Sequence, residues 1–389
     1  MARVRSPLTP EAPLRSIDLA RTFCIYLVVQ KHLILSGLVA KPLHDWAAWF
    51  FLRLCENGIY GVYLFFVISG FLITRLADRM PGGLFAFDFR AFYVRRAARI
   101  LPLFFLAAGL GGLLWALLPP GQAPSVFCFN LPPAKDPFFW GSLATFSFNW
   151  YALSHPPVYF SLGFHWILLW SLSVEEQFYL FYPLILRGLK NTRNLKWFLA
   201  ALVASGPIFR AAGETLWPDQ ILVLSIGTPA VWDLLAAGAL IYLVSGPVER
   251  RLKQNPAWAW GGLLAGLLTL GALCLGTHCE DRADLLFTPT LLALGLGLFL
   301  WGAFSIPAFE KRSFGILLLP GRWSYGIYLL HVVVLFVLWS WLKGRPLWEC
   351  GLLLGAALLA VAGLSNRFYE KPLNQWVRRF AEGKARKSP

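Results

Sequence analysis

Apolar stretches of about 20 residues recur along almost the whole chain, and short polar segments separate them. A helix of that length spans the hydrocarbon core of a bilayer. The pattern predicts an all-α integral membrane protein, a single bundle of about ten transmembrane helices. The predicted spans are 16–38, 50–76, 100–118, 162–186, 195–212, 226–246, 257–276, 285–305, 322–342 and 347–366.

Basic residues concentrate in alternate connections between these spans. The basic connections are the N-terminal segment, 75–99, 187–196, 249–253, 310–312 and the segment after 366. Because Lys and Arg accumulate on the cytoplasmic side of membrane proteins, both termini are predicted to be cytoplasmic. Residues 1–373 then form a transmembrane domain, and residues 374–389 form a basic cytoplasmic tail. Residues 84–99, which mix aromatics with Arg, suit an amphipathic helix at the cytoplasmic interface.

Composition agrees with a membrane protein and narrows the chemistry. The chain is 57% hydrophobic and only 14% charged, whereas soluble domains carry about 25% charged residues. Its net charge of +15 follows from the basic cytoplasmic segments, and no soluble segment is long enough to bind nucleic acid. The six cysteines form no CxxC pair and have no zinc spacing, so no metal centre is predicted.

The first span carries charge where a membrane helix is usually apolar. Arg21 and His32 are eleven positions apart, so they share one helical face at a separation of about 16 Å along the axis. Such residues are costly in a bilayer unless they line a cavity, and Asp18 is placed to pair with Arg21. His32 has the near-neutral pKa that suits proton abstraction from a hydroxyl, although it could instead hydrogen-bond a neighbouring helix.

Two further groups of charges occur in later spans. Glu175 and Glu176 lie in an otherwise aromatic and aliphatic span. We expect at least one to face a cavity and orient an imidazole; the alternative is a structural ion pair with an Arg of another span. Arg96 and Arg99 share a helical face at the predicted cytoplasmic edge. Such a pair suits either a bound phosphate or anionic lipid headgroups.

Two more motifs leave alternatives open. Ser69 and Gly70 interrupt an aromatic span, either to let a ligand pass close to the backbone or to let helices pack closely. Tyr325, Tyr328 and His331 place a second imidazole in the ninth span. His331 either lines the same cavity as His32 or satisfies a backbone carbonyl.

Taken together, these motifs resemble the membrane acyltransferase-3 family from about residue 14 to 373. Each motif is weak alone, but six in the same order are specific. The matching residues are Arg21 and His32 (Arg-x10-His), Phe65, Phe66, Ser69, Gly70 and Phe71 (FFxxSGF), Arg96 and Arg99 (RxxR), Trp170 through Tyr179 (WSLxxE-x-x-FY), Ser324, Tyr325, Tyr328 and His331 (SYxxYLxH), and Glu370-Lys371-Pro372. The fourth motif selects Glu175 over Glu176.

The resemblance implies an O-acyltransferase that moves an acyl group, usually acetyl, from cytoplasmic acyl-CoA to an extracytoplasmic hydroxyl. The acyl-CoA is a donor substrate, and no cofactor is expected to be permanently bound. The implied catalytic residues are His32, Glu175 and Arg21, with Asp18 as a structural partner. His32 either takes the proton of the acceptor hydroxyl or carries the acyl group transiently, and the sequence does not separate these two roles. The residues implied to bind acyl-CoA or substrate are Arg96, Arg99, Ser69, Gly70, Tyr325 and His331.

The acceptor is not fixed by the sequence, and a glycan, a lipid-linked saccharide and a small-molecule hydroxyl all remain open. The implied location is a bacterial inner or plasma membrane, in contact with membrane lipids, and the oligomeric state is not predicted. Larger relatives add an extracytoplasmic hydrolase-like domain, so this chain is expected to act alone or with a separate partner. The competing interpretation is a transporter or flippase of a lipid-linked saccharide. Paired discontinuous half-helices, which would favour it, are not evident.

Overall fold

The computed structural model describes residues 14–38, 46–117, 136–155, 164–307 and 315–385. Within these ranges the chain is helical and contains no strand. The helices are α1 (Arg15–Leu35), α2 (Trp46–Glu56), α3 (Gly58–Arg79), α4 (Phe89–Leu117), α5 (Pro137–Ala144), α6 (Phe148–Ser154), α7 (Phe164–Ile167), α8 (Leu169–Leu189), α9 (Thr192–Leu216), α10 (Ile221–Ile226), α11 (Thr228–Gln254), α12 (Pro256–Gly276), α13 (Arg282–Ser305), α14 (Leu319–Arg322), α15 (Ser324–Leu342), α16 (Leu347–Ser365) and α17 (Lys371–Ala385).

Eight helical segments of the described chain are long and apolar enough to cross a membrane. They contain α3, α4, α9, α11, α12, α13, α15 and α16. This confirms the predicted class, an all-α integral membrane protein with several spans. The other two predicted spans correspond to α1 and α8, helices of 21 residues each that carry the charged candidate residues. The count of ten and the cytoplasmic termini stay predictions.

Helix α4 differs from the expected short interfacial helix followed by a separate span. It is continuous from Phe89 to Leu117 although Pro102 lies inside it. Proline has no N–H to donate to the carbonyl four residues earlier, which is that of Ala98. Asn374 Nδ2 donates to the Ala98 carbonyl instead, at 3.3 Å. The helix therefore continues through proline because a side chain of α17, part of the segment predicted as a tail, replaces the missing donor.

The second predicted span, 50–76, is divided into two helices. Helix α2 ends at Glu56, and α3 begins at Gly58. The Lys31 ammonium donates to the Glu56 carbonyl at 2.8 Å, which caps the C-terminal end of α2 with a cation. Asn57, between the helices, is fully buried. Hydropathy alone does not locate this break because both sides of it are apolar.

The chain divides into two compact units. The first contains α9 to α13 and nearly all of α3, and the second contains α2, α4 to α7 and α15 to α17. Helices α1 and α8 contribute residues to both units. In the first unit, α11 and α13 pack against each other and against α9. In the second unit, α15 packs on α4 and α16, and α17 packs on α4.

A buried polar cluster joins three helices of the first unit. Arg210 of α9 is 0% exposed. It donates to Asp233 at 3.1 Å, to Thr290 at 2.6 Å and to the Leu286 carbonyl at 3.0 Å, and it also donates to the Ala230 carbonyl. Thr290 in turn donates to Asp233 at 2.8 Å. These contacts neutralise and hydrogen-bond a guanidinium that would otherwise be very costly inside an apolar bundle.

Helices α3 and α11 touch through their backbones in the first unit. A Cβ added at Gly70 would lie 1.8 Å from the Leu235 carbonyl oxygen, and one added at Gly238 would lie 1.8 Å from the Val67 carbonyl oxygen. This reciprocal contact is the close packing through small residues that the sequence left as an alternative for Gly70. The position that a Gly70 Cβ would take is occupied by α11, and a binding role for Gly70 stays a prediction.

The close contact of α3 with α11 predicts that alanine destabilises the protein at Gly238 but not at Gly109. Gly238→Ala should destabilise the folded protein by about 1–3 kcal/mol, because the new methyl group has no room against the α3 backbone. Gly109→Ala in α4 is the matched control, since its Cβ would meet nothing within 4 Å. Thermal unfolding of the two purified variants measures the difference. Equal midpoints would show that the α3–α11 contact is not this close.

The buried cluster around Arg210 predicts a large loss of stability when Asp233 is replaced. Asp233→Ala should cost about 3–5 kcal/mol, because it leaves the buried Arg210 charge without its counter-ion. Glu349→Ala is the control: it breaks a 3.1 Å pair with Arg345 whose side chains are 44% and 30% exposed. Such an exposed pair contributes about 0–1 kcal/mol. Denaturation of both variants measures the difference, and a comparable loss in the two would contradict the assigned role of Asp233.

Candidate active site

The two membrane imidazoles lie in contact in the second unit. His331 Nε2 of α15 is 3.2 Å from His32 Nδ1 of α1, with ring centroids 4.9 Å apart and the ring planes at 64°. His331 is 1% exposed, whereas His32 is half-buried. The residues are 299 positions apart in the chain. The structure thus joins two motifs that the sequence could only place in separate spans.

Each imidazole is also held by the backbone of its own helix. His331 Nδ1 is 2.7 Å from the Tyr328 carbonyl oxygen, and His32 Nδ1 is 2.8 Å from the Val28 carbonyl oxygen. The backbone alternative that the sequence left open for His331 is therefore observed, and the same ring also contacts His32. A cavity lined by both imidazoles stays a prediction.

Tyr328 connects α15 to the start of α8. Its hydroxyl is 2.7 Å from Ser171 Oγ and donates to the Leu168 carbonyl at 3.1 Å. Tyr328 and Ser171 are both buried. This anchor limits rotation of α15 and so holds the backbone from which His331 projects, and the contact of His331 Nδ1 with the Tyr328 carbonyl orients the ring. Both residues lie inside sequence motifs, but their pairing requires a contact between distant spans that local patterns do not report.

A second polar group forms where α4 and α8 approach each other. Arg96 and Glu176 form an ion pair at 3.6 Å, with side chains 14% and 20% exposed. The Tyr325 hydroxyl donates to the Ile100 carbonyl at 2.8 Å, which ties α15 to the same part of α4. Glu370 accepts from Ser365 at 3.2 Å. The group combines Arg side chains, carboxylates and a phenol in one unit of the structure.

Arg96 pairs with Glu176, whereas the sequence motif selected Glu175 as the candidate catalytic carboxylate. The ion pair is made by Glu176, in agreement with the alternative of a structural pair with an Arg of another span. Glu175 is half-buried, and its predicted role in orienting an imidazole stays a prediction. Adjacent residues on a helix point about 100° apart, so the two carboxylates cannot share one direction.

The remaining predicted residues fall into two places. Arg99 is exposed on α4, one turn after Arg96. Asp18 and Arg21 of α1 and Ser69 of α3 are half-buried and belong to the first unit. The pairing of Asp18 with Arg21 stays a prediction. Among the described residues, no group of three or more His, Cys, Asp or Glu side chains is placed to hold a metal ion.

Helix α6 is fastened to α8 beside the Arg96 pair. Gln177 Nε2 donates to the Phe146 carbonyl and to Asn149 Oδ1, each at 2.8 Å. The Phe148 N–H donates to Ser173 Oγ at 3.2 Å. Gln177 directly follows Glu176, so these contacts restrain the stretch of α8 that carries the carboxylates. The sequence pattern gave no signal for this role of Gln177.

A family model described as an acyltransferase domain matches residues 14–365. A peptidoglycan O-acetyltransferase of Listeria monocytogenes is 28% identical over 382 residues, which cover 92% of this chain and 56% of the relative. A Bacillus subtilis protein, assigned as a candidate peptidoglycan O-acetyltransferase, is 33% identical over 173 residues, which cover 44% of this chain and 23% of the relative. No solved structure matches significantly.

The chain spans about half the length of the Listeria relative. The family model, which matches residues 14–365, covers the helices that carry His32, His331 and the Arg96–Glu176 pair.

Proposed function

We infer the activity of this protein from its family: the chain belongs to the acyltransferase family whose model matches residues 14–365. We propose that it is a multi-pass membrane O-acetyltransferase that uses acetyl-CoA as donor. The observation that carries this proposal is the contact of His32 with His331 at 3.2 Å inside an apolar helical unit. A half-buried imidazole in contact with a buried one suits proton transfer from a hydroxyl.

In the proposed reaction the acceptor hydroxyl oxygen attacks the thioester carbonyl carbon. A C–O bond forms, the C–S bond breaks, and His32 takes the hydroxyl proton as general base. The protonated His32 then returns this proton to the departing thiolate, so the products are the acetyl ester and the free CoA thiol.

We propose that Arg96 and Arg99 bind phosphates of the donor on the cytoplasmic side. Guanidinium groups bind phosphates through paired N–H donors, and these two lie one turn apart on α4. Glu176 holds Arg96 at 3.6 Å, longer than a close ion pair, and both side chains are partly exposed. A phosphate can therefore replace the carboxylate as the partner of Arg96.

The proposed acceptor is a hydroxyl of a cell-envelope glycan, and the proposed location is a bacterial plasma membrane. Support for this class comes from the names of the relatives, of which the Listeria protein acts on peptidoglycan. The proposed transfer runs from a cytoplasmic donor to an acceptor outside, and the helical segments that are long enough to cross a membrane support it.

The central test is acetyl transfer by purified full-length protein in proteoliposomes. With radiolabelled acetyl-CoA and a glycan acceptor, His32→Ala should lower turnover by about 100-fold or more, since a general base contributes about 10²–10⁴ in rate. His278→Ala, in the connection between α12 and α13, removes a histidine of the other unit and should keep full turnover. Unchanged turnover in a folded His32→Ala protein would remove His32 from the reaction.

The proposed donor site predicts that neutralising Arg96 and neutralising Glu176 change the affinity for CoA in opposite directions. Arg96→Gln should weaken CoA binding about tenfold or more, because a charge-assisted hydrogen bond is lost. Glu176→Gln should strengthen binding, because it removes the carboxylate that competes with phosphate for Arg96. Arg187→Gln, an exposed residue near the end of α8, controls for the change in net charge. Calorimetric titration with CoA measures all three. Equal weakening by the two Arg variants would indicate general electrostatic attraction only.

A further inference from the structure

We propose that His331 is a positioning residue that, together with two backbone carbonyls, keeps the His32 proton on Nδ1 and leaves His32 Nε2 as the basic nitrogen. The catalytic consequence rests on the proposed function; the orientation of the two rings does not. Four groups of the second unit form this arrangement: His32, His331 and the carbonyls of Val28 and Tyr328.

The tautomer of His331 follows from its backbone partner. Its Nδ1 is 2.7 Å from the Tyr328 carbonyl oxygen, which can only accept a hydrogen bond. An unprotonated Nδ1 would place two lone pairs against each other at this distance. Nδ1 therefore carries the proton, and Nε2 of the neutral ring carries the lone pair.

The tautomer of His32 follows in the same way. Its Nδ1 is 2.8 Å from the Val28 carbonyl oxygen and 3.2 Å from His331 Nε2. Both neighbours are acceptors, so the proton of His32 is on Nδ1, where it is shared between them. The lone pair of His32 is then on Nε2, the nitrogen that lies on the other side of the ring from His331.

This arrangement gives His331 a role at the moment of proton transfer. When Nε2 of His32 takes a proton, the ring becomes a cation and its Nδ1–H becomes a stronger donor. The Val28 carbonyl and His331 Nε2 both accept from that N–H and stabilise the cation. A carboxylate does the same for histidine in serine hydrolases. A neutral imidazole does it without a permanent charge in an apolar layer.

The direction of His331 is set independently of His32. Tyr328 precedes it by three residues and is tied to Ser171 at 2.7 Å and to the Leu168 carbonyl at 3.1 Å. Because these contacts fix α15 against the start of α8, His331 Nε2 keeps its direction while His32 changes charge. A fixed acceptor of this kind costs little reorganisation during reaction.

The direct test is solid-state NMR of the full-length protein in bilayers, with histidine labelled by ¹⁵N. Protonated and unprotonated ring nitrogens resonate far apart, and the His32 and His331 signals are assigned by their loss in His32→Gln and His331→Gln. We expect Nδ1 protonated and Nε2 unprotonated in both rings, with a coupling through the hydrogen bond between His32 Nδ1 and His331 Nε2. A protonated His331 Nε2 would overturn the proposal.

Kinetics supply a second test through a pair of variants. His331→Leu removes the acceptor at similar size and should lower kcat about 10- to 100-fold with little change in KM for acetyl-CoA. His331→Gln should recover most of that loss, because its amide oxygen can accept from His32 Nδ1–H. Equal kcat in the Leu and Gln variants, after both are shown to unfold at the same temperature, would also overturn the proposal.

The two tests separate this proposal from the proposed function. Absence of acetyl transfer by the wild-type protein would refute the proposed function, and the NMR result would still decide the orientation of the histidine pair. Normal transfer together with a protonated His331 Nε2 would refute the positioning role and leave the acetyltransferase assignment intact.

Discussion

The cost of placing a charge in an apolar layer governs where this protein keeps its polar side chains. Arg210 and Arg96, two charged groups of the helical units, are each paired with a carboxylate on a different helix. The two ion pairs differ in the exposure of their side chains and in the number of hydrogen bonds that hold them. Arg210 is 0% exposed and bonded to Asp233, Thr290 and two carbonyls, so no partner can be exchanged. Arg96 and Glu176 are 14% and 20% exposed at 3.6 Å, so their pairing can be exchanged for a ligand. This difference separates a structural cluster from a candidate binding site.

The same constraint acts on the backbone. Pro102 removes a donor inside α4, and Asn374 supplies another for the Ala98 carbonyl. The end of α2 is capped by Lys31 at the Glu56 carbonyl. Unsatisfied carbonyls are costly in hydrocarbon, so a helix can be interrupted only where a side chain compensates. These two contacts explain why α4 runs through a proline and why α2 and α3 are separate, neither of which hydropathy indicates.

The helices could be predicted from the sequence, because they follow from local features, and the candidate residues come from the same features. Apolar length gives the spans, and charge within a span marks His32, Glu175 and Glu176 as candidates, with Arg96 at the edge of the third span. The partners could not be predicted in the same way. Neighbouring side chains on a helix point about 100° apart. Which of the two adjacent carboxylates of α8 pairs with Arg96 therefore depends on how α8 is rotated about its own axis next to α4. The contact of His32 with His331 joins positions 299 residues apart.

Gly70 illustrates the same limit at the level of packing. A glycine in an aromatic span indicates that something approaches the backbone closely, but the sequence does not say whether it is a ligand or a helix. The carbonyl of Leu235 occupies the position of the absent Cβ, so the approaching group is α11. A family motif can therefore contain residues that shape the helical frame beside residues that carry the chemistry, and only their three-dimensional neighbours distinguish them.

A pair of neutral imidazoles suits catalysis in this setting because its charge exists only during the reaction. At rest, His32 and His331 bring no net charge into the apolar unit, so the folded protein does not bear the large desolvation cost of a buried carboxylate. When His32 takes a proton, the acceptors at Val28 and His331 are already in place at 2.8 Å and 3.2 Å. These two acceptors stabilise the His32 cation more than they stabilise the neutral ring. Interactions that strengthen between ground state and transition state raise the rate rather than only the affinity for substrate. The membrane environment thus favours a base whose supporting partner is another histidine.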